Sequence, residues 1–295
     1  MKLRSLPVGV VAVLAVLLGS PLSYSTLSAQ RAPAPNPDIQ ALVGRLDLQR
    51  YKKTIESLSQ FGDRRQGTKR NRDAVDWIEA QLKAYGCADV SRLTYTYSTN
   101  ADPSNLAQPE APTASKGPGP GGSTIYGRGR RPVVNRDLMK QPDAKIRELN
   151  REEPTDGERQ EVYCTKIGST HPEEMYILGA HMDGHGVNQG SNDDASGTAL
   201  VMELARIFSD PAVRTERSIR FALWNNEETG LQGAAAYVKQ RASLQGVENP
   251  AGSGKYPEPR WLGMIQHDMM MFDHGAPGPD GKVSPNQRRE ADVNI

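Results

Sequence analysis

The chain has 295 residues, 24% of them charged, and a formal net charge of +1. Near-neutrality argues against nucleic acid or a strongly charged surface as a dedicated partner, and the absence of any repeat with a period of roughly 20 to 50 residues disfavours solenoids and propellers. The length exceeds one small domain and suits a single large α/β domain carrying insertions.

Lys2 and Arg4 precede an apolar run from Val8 to Leu18, and small residues surround Ser28 and Ala29. That run is well short of the roughly 20 residues needed to cross a bilayer, so residues 1–29 are expected to be a secretory signal peptide. A secreted or periplasmic protein with no stable membrane span after cleavage follows from that reading. Residues 30–38, rich in Pro and Ala, read as a linker. From Ile39 to Tyr85 the pattern is helical. Leu42, Leu46, Tyr51, Ile55 and Leu58 form one apolar stripe, residues 62–67 break it, and Ala74, Val75, Ile78 and Leu82 form the face of a second helix over 71–84.

Val90 to Tyr97 alternates as a half-buried strand should. Residues 98–131 are rich in Pro, Gly and Ser and read as a surface insertion. A weakly helical stretch over 143–149 leads to a strand over 160–167. Cys87 lies just before the first of these strands and Cys164 inside the second, so pairing of the two strands would bring the thiols close. A bridge closing 77 residues and two free buried thiols both remain open at this stage.

The apolar run Tyr176 to Ala180 ends in His181-Met182-Asp183. Residues i and i+2 of a strand face the same way, so imidazole and carboxylate emerge side by side, as in a metal-ligating His oriented by an acid. A Gly-rich turn leads to Gly190-Ser191-Asn192-Asp193-Asp194-Ala195-Ser196-Gly197, after which apolar residues recur at helical spacing. Adjacent carboxylates there can serve a metal or simply cap the helix. A third strand, Ile219 to Trp224, ends near Glu227 and Glu228. Consecutive carboxylates diverge, one free to bind a metal and the other to face substrate, and a nearby cation would keep both ionised. A fourth apolar segment, 263–268, ends in His267-Asp268.

The order of these four motifs resembles the co-catalytic zinc exopeptidases of metallopeptidase family 28, with the close match over roughly 160–275. The resemblance implies that 39–295 is a zinc exopeptidase-like catalytic domain. Its α/β fold would have a mixed, mostly parallel sheet flanked by helices on both faces, incomplete at the C-terminus. It also implies two divalent metal ions, zinc foremost. Carried over by position, His181, Asp193, Glu228 and Asp268 are metal ligands, with Asp193 shared between the ions. Asp183 orients His181, and Glu227 is the general base for a water that the ions activate. The implied activity is hydrolysis of terminal peptide bonds, most often at substrate N-termini. A glutaminyl cyclase-like transferase and a metal-site-bearing binding domain without catalysis are the alternatives.

The family pattern uses a fifth ligand, a His beyond the last Asp, and no evident residue supplies it. His171 precedes the central strand, His185 sits in the turn after His181, His267 adjoins a ligand but points the other way, and His274 is the best placed of the four. The expectation is that this chain is truncated, binding one ion tightly and the second weakly.

Overall fold

The computed structural model describes residues 36–98 and 137–271. The expected signal peptide, most of the expected insertion and His274 lie outside the described residues. Among the described residues five strands, β1 (Ser91–Tyr97), β2 (Gly157–Lys166), β3 (His171–His181), β4 (Arg217–Trp224) and β5 (Arg260–Gln266), form one sheet in the order β1-β2-β4-β3-β5. β1 and β2 pair antiparallel, as do β2 and β4, while β3 runs parallel to both β4 and β5. The expected mixed sheet is therefore present, with two of its four pairings parallel.

Alternation along the strands divides the interior into two layers. On one face, α2 (Leu48–Gln60), α3 (Lys69–Ala84) and α5 (Ala195–Ser209) pack Leu58, Ile78, Leu82 and Met202 against Val162, Cys164, Phe221 and Leu223. On the other face, α6 (Gln232–Arg241) contributes Tyr237, which meets Trp224 edge-on at 5.2 Å and stacks on Trp261 at 5.5 Å. Helices thus flank the sheet on both faces, as expected, and the short α4 (Ala144–Leu149) precedes β2 in the chain.

The connections explain where chemistry can sit. α5 joins β3 to its neighbour β4 over one face; α6 then crosses the other face to β5, on the opposite side of β3. The strand order reverses at β3, and such a switch point opens a crevice at the carboxyl ends of the parallel strands. His181 is the last residue of β3, Glu227 follows the end of β4 by three residues, and Asp268 follows the end of β5 by two.

One sequence expectation is corrected. The apolar stripe over 42–58 is not one helix: α1 (Pro37–Val43) stops at Gly44, and Asp47 starts α2 by accepting from the amides of Gln49 and Arg50. Leu46 falls in the break and is 44% exposed, whereas Ile55 and Leu58 are buried. A capping carboxylate after a glycine outweighs a helical hydrophobic period. The two cysteines are joined, Cys87 to Cys164, with a Cα–Cα distance of 6.1 Å. Among the described residues no helix is long and apolar enough to cross a membrane.

Candidate metal centre

The side chains singled out in the sequence converge at the carboxyl ends of β3, β4 and β5. His181 is 1% exposed, and its Nε2 lies 3.1 Å from Asp193 Oδ1, 3.8 Å from Asp268 Oδ1 and 4.0 Å from Glu227 Oε2. On the other side of the ring, Nδ1 stands 3.2 Å from the Asp183 carbonyl oxygen and 3.6 Å from its carboxylate. The Asp183 carboxylate is turned to the next loop, where it accepts from the amides of Glu227 at 3.1 Å and Glu228 at 3.4 Å. One acid therefore holds both the His181 ring and the backbone that carries the glutamates.

The polar residues of 190–197 build the opposite wall. Asp194 caps α5 by accepting from the Gly197 amide at 2.8 Å, and the same carboxylate accepts from the amides of His181 and Met269. Asn192 accepts from the Met271 amide and Ser196 from the Met270 amide. These bonds dock the segment after β5 onto the start of α5 and so bring Asp268 to the site. Gly197 is required for this approach, since a Cβ there would lie 2.4 Å from the His267 carbonyl oxygen. His267 donates its amide to the Gly179 carbonyl, and its Nδ1 lies 3.3 Å from that same oxygen.

Two residues given no part in the site by the sequence reading prove central. Arg64, in the loop between α2 and α3, is 0% exposed and directs its guanidinium at the carbonyls of Met182, Gly62, Leu58, Gln189 and Gly190. It clamps the chain on both sides of the Gly-rich turn, and burial brings its pKa down to about 10. His185 stands with its Nε2 against Glu228 Oε2. The loop carrying the glutamates is fixed from beneath: Asn225 exchanges amide hydrogen bonds with Asn71 and donates to the Gln160 carbonyl, and Tyr95 donates to Asn226.

The electrostatics are those of a site short of positive charge. Burial and then repulsion from Asp193 push Glu228 up to about 8, and burial with the charges of Asp183, Asp268 and Asp193 raises Glu227. Burial pushes Asp194 up to about 8. The hydrogen bond from His181 holds Asp193 below the usual carboxylate range. Burial disfavours the His181 imidazolium, but bonds to Asp183, Asp193 and Asp268 outweigh it and raise its pKa well above the ordinary value. Among the described residues, two groupings have donor atoms mutually close enough for one ion: His181 with Asp194 and Asp268, and His181 with Glu227 and Glu228. In the first, the Asp194 oxygens already accept three amide hydrogens, which leaves Asp193, with 34% of its side chain exposed, as the more available neighbour. Imidazole and carboxylate donors without thiolate fit zinc, and a cation would relieve the crowded acids.

Residues 162–278 match peptidase family M28. The chain is 28% identical over 216 residues to a probable zinc metalloprotease of Leptosphaeria maculans, covering 68% of this chain and 39% of that protein. It is 37% identical over 92 residues to carboxypeptidase Q of Rattus norvegicus, covering 30% of this chain and 20% of that protein. Among solved structures, an aminopeptidase from Aneurinibacillus sp. strain AM-1 is similar with 22% identity and a TM-score of 0.47, over 77% of this chain and 71% of that one. A glutaminyl cyclase of Porphyromonas gingivalis is similar with 16% identity and a TM-score of 0.45, over 79% of this chain and 62% of that one. The matched part of the chain spans about two-fifths of the fungal relative and a fifth of the rat one. The family resemblance read from the four motifs is thus borne out over 162–278.

Proposed function

From the family M28 sequence in residues 162–278 and the side chains gathered beside it, we propose a secreted zinc-dependent exopeptidase of the aminopeptidase type. The observation that carries this reading is the convergence of Asp193, Asp268 and Glu227 within 4.0 Å of His181 Nε2, with Glu228 on the adjoining residue. His181, Asp193, Glu228 and Asp268 would hold two divalent ions. Zinc, when bound, polarises a carbonyl and lowers the pKa of water to about 7.

The protein's own residues do the rest. Asp183 fixes the His181 ring and the amides of Glu227 and Glu228, so ligand and base are set by a single buried carboxylate. Glu227 keeps 30% of its side chain exposed, and burial raises its pKa above the ordinary carboxylate value. A carboxylate so poised can take a proton from the attacking water and return it to the leaving amine. Asp268, at 49% side-chain exposure, lies on the open side of the cluster, where a substrate terminus can enter.

The test uses aminoacyl and N-blocked, free-C-terminal chromogenic peptides, with a peptide carrying N-terminal Gln as a third substrate. Release of the N-terminal residue, lost on prolonged chelation and restored by Zn or Co, is the expected result. Hydrolysis untouched by chelation overturns the metal reading. Cleavage from the C-terminus, or loss of ammonia from the Gln peptide without cleavage, replaces the aminopeptidase assignment with the corresponding one.

A further inference from the structure

We propose that the cavity between the first half of α3 and the β1-β2 pair binds a small oxyanion, a phosphate or a short dicarboxylate, and that its occupant steadies the loop carrying Glu227. The site goes beyond the metallopeptidase reading and does not depend on it, since no candidate metal ligand lines it. The cavity holds about 190 Å³, less than a drug-sized ligand needs and enough for a small anion.

Its charge is unbalanced. Arg72, Arg92 and Arg159 line it against two acids, Asp76 and Glu158. Arg92 is engaged by Asp76 at 2.8 Å and by Glu79, while Glu158 accepts from Gln160 Nε2 and is exposed to water, which screens it. Two guanidiniums are left over. The exposed side chain of Arg72 has no hydrogen bond or ion pair among the described residues. Arg159 is 3% exposed, and a cation so buried ordinarily has a carboxylate against it. Its acceptors are instead the Gln66 side chain and the carbonyls of Thr155, Gly157 and Glu158. Burial, reinforced by the charge of Arg72 and opposed by Tyr95, Asp156 and Tyr97, lowers its pKa.

An oxyanion beside Arg72 and Arg159 supplies the missing negative charge, and guanidinium forks match the paired oxygens of a carboxylate or a phosphate. The four bonds of Arg159 leave one of its five N–H groups for a ligand. A Cβ on Gly67 would lie 2.6 Å from Arg159 Nη2, so glycine keeps that side of the guanidinium uncovered. Arg72 also belongs to the first turn of the 16-residue α3, where the helix dipole favours an anion. Two further lining residues, Asn71 and Gln160, tie the cavity to the catalytic loop. Asn71 exchanges side-chain hydrogen bonds with Asn225 at 2.9 and 3.0 Å, and Asn225 donates to the Gln160 carbonyl at 2.9 Å. Asn225 precedes Glu227 by two residues, so an anion that draws α3 and β2 together holds the start of that loop and makes its local opening rarer.

The experiment titrates the metal-free 295-residue chain, in which zinc cannot hold the anion, with inorganic phosphate and with malonate in chloride of constant ionic strength. Calorimetry reads binding, and mass spectrometry reads hydrogen exchange at the 225–228 amides. The variants are R72A, R72K and K53A, the last removing an amine 77% exposed on α2. Saturable binding of phosphate or malonate is expected, with slower exchange at 225–228, and the anion that binds more tightly names the ligand. R72A should weaken binding about 10-fold or more, R72K should recover part of it, and K53A should change nothing. R72A should melt with the unaltered protein, because the side chain is exposed. No saturable binding overturns the site, as does binding unchanged in R72A or weakened equally in R72A and K53A. Saturable binding that leaves exchange at 225–228 unaltered overturns the coupling. None of these results bears on the metal reading.

Discussion

Breaking the Cys87–Cys164 bridge is predicted to lower stability by between about 4 and 5 kcal/mol. The bridge ties the end of α3, where Cys87 donates its amide to the Leu82 carbonyl, to the middle of β2, whose Thr165 amide bonds the Ala88 carbonyl. It closes 77 residues, and in the chain-entropy account a crosslink of that span removes about 15 cal/mol/K from the denatured ensemble. The cleaner perturbation is Cys87→Ala. Cys164 is fully buried beside Val162 and Phe221 and packs well as a thiol, whereas truncating it would add a cavity to the lost crosslink. For a domain of this size each kcal/mol moves Tm by roughly 2–4 °C, so calorimetry should find Cys87→Ala melting roughly 8–20 °C below the oxidised protein. The reduced unaltered protein should fall with it. Cys164 pairs with Phe221, three residues before the end of β4, so the metal content of the folded variant should be unchanged. A Tm within about 3 °C of the oxidised protein would refute the reasoning, because it would mean that the denatured chain is not confined by this loop.

Glu161 gives a pH-dependent prediction. Its carboxyl is buried, and burial with the charge of Asp183 pushes it up to about 8 against the pull of the Asn225 amide. A folded pKa above the unfolded value means that the folded state holds the proton more tightly, so stability is full below about 4.5 and falls as pH rises through 8. Glu161→Gln keeps the shape of the protonated acid and removes the titration. Denaturant midpoints should match at pH 5 and favour the variant by a few kcal/mol at pH 9, and equal midpoints at both would show that the acid is solvated or paired. Roles within the centre separate by metal content: Glu227→Gln should retain zinc and lose most of the rate, about 100-fold or more for a general base, while Asp193→Asn should lose zinc as well. Equal zinc loss in the two would mean that base and ligand have been interchanged.

The parts of the site that were legible in the sequence are those fixed by local period. A strand ending in His181-Met182-Asp183 and another ending just before Glu227 declare their faces through neighbouring residues alone, and the acids after them mark strand ends. Asp194 was legible only as an N-cap; that its carboxylate also takes the amides of His181 and Met269 depends on β5 lying beside β3, a pairing between distant segments. Arg64 was missed because residues 62–67 read only as a break between two helical faces. Its burial is decided by carbonyls as far as 126 residues away, which close around it only in the folded chain.

The arrangement of charge explains why such distant groups are needed. Asp183, Asp193, Asp194, Glu227, Glu228 and Asp268 meet within one crevice, where the fixed positive charge comes from Arg64 and any imidazolium from His181 and His185. Burial first, and then the repulsion of neighbouring acids, raises the carboxyls of Glu227 and Glu228. Two of the six acids are consumed by backbone amides, Asp183 under the glutamates and Asp194 at the start of α5, which is how an acid is kept in place without a cation of its own. The remaining four face one another with no such support, and they are the four that the zinc reading assigns to metal or to proton transfer. Divalent ions are the compact charges that can neutralise them without filling the crevice a substrate must enter. On this argument the metal-free site should take up zinc with release of protons, chiefly from Glu228 and His181, the two assigned ligands whose pKa values are raised. Zinc uptake in weakly buffered solution at pH 7 should therefore acidify the medium, and uptake with no proton release would show that the acids were ionised and the imidazole neutral beforehand.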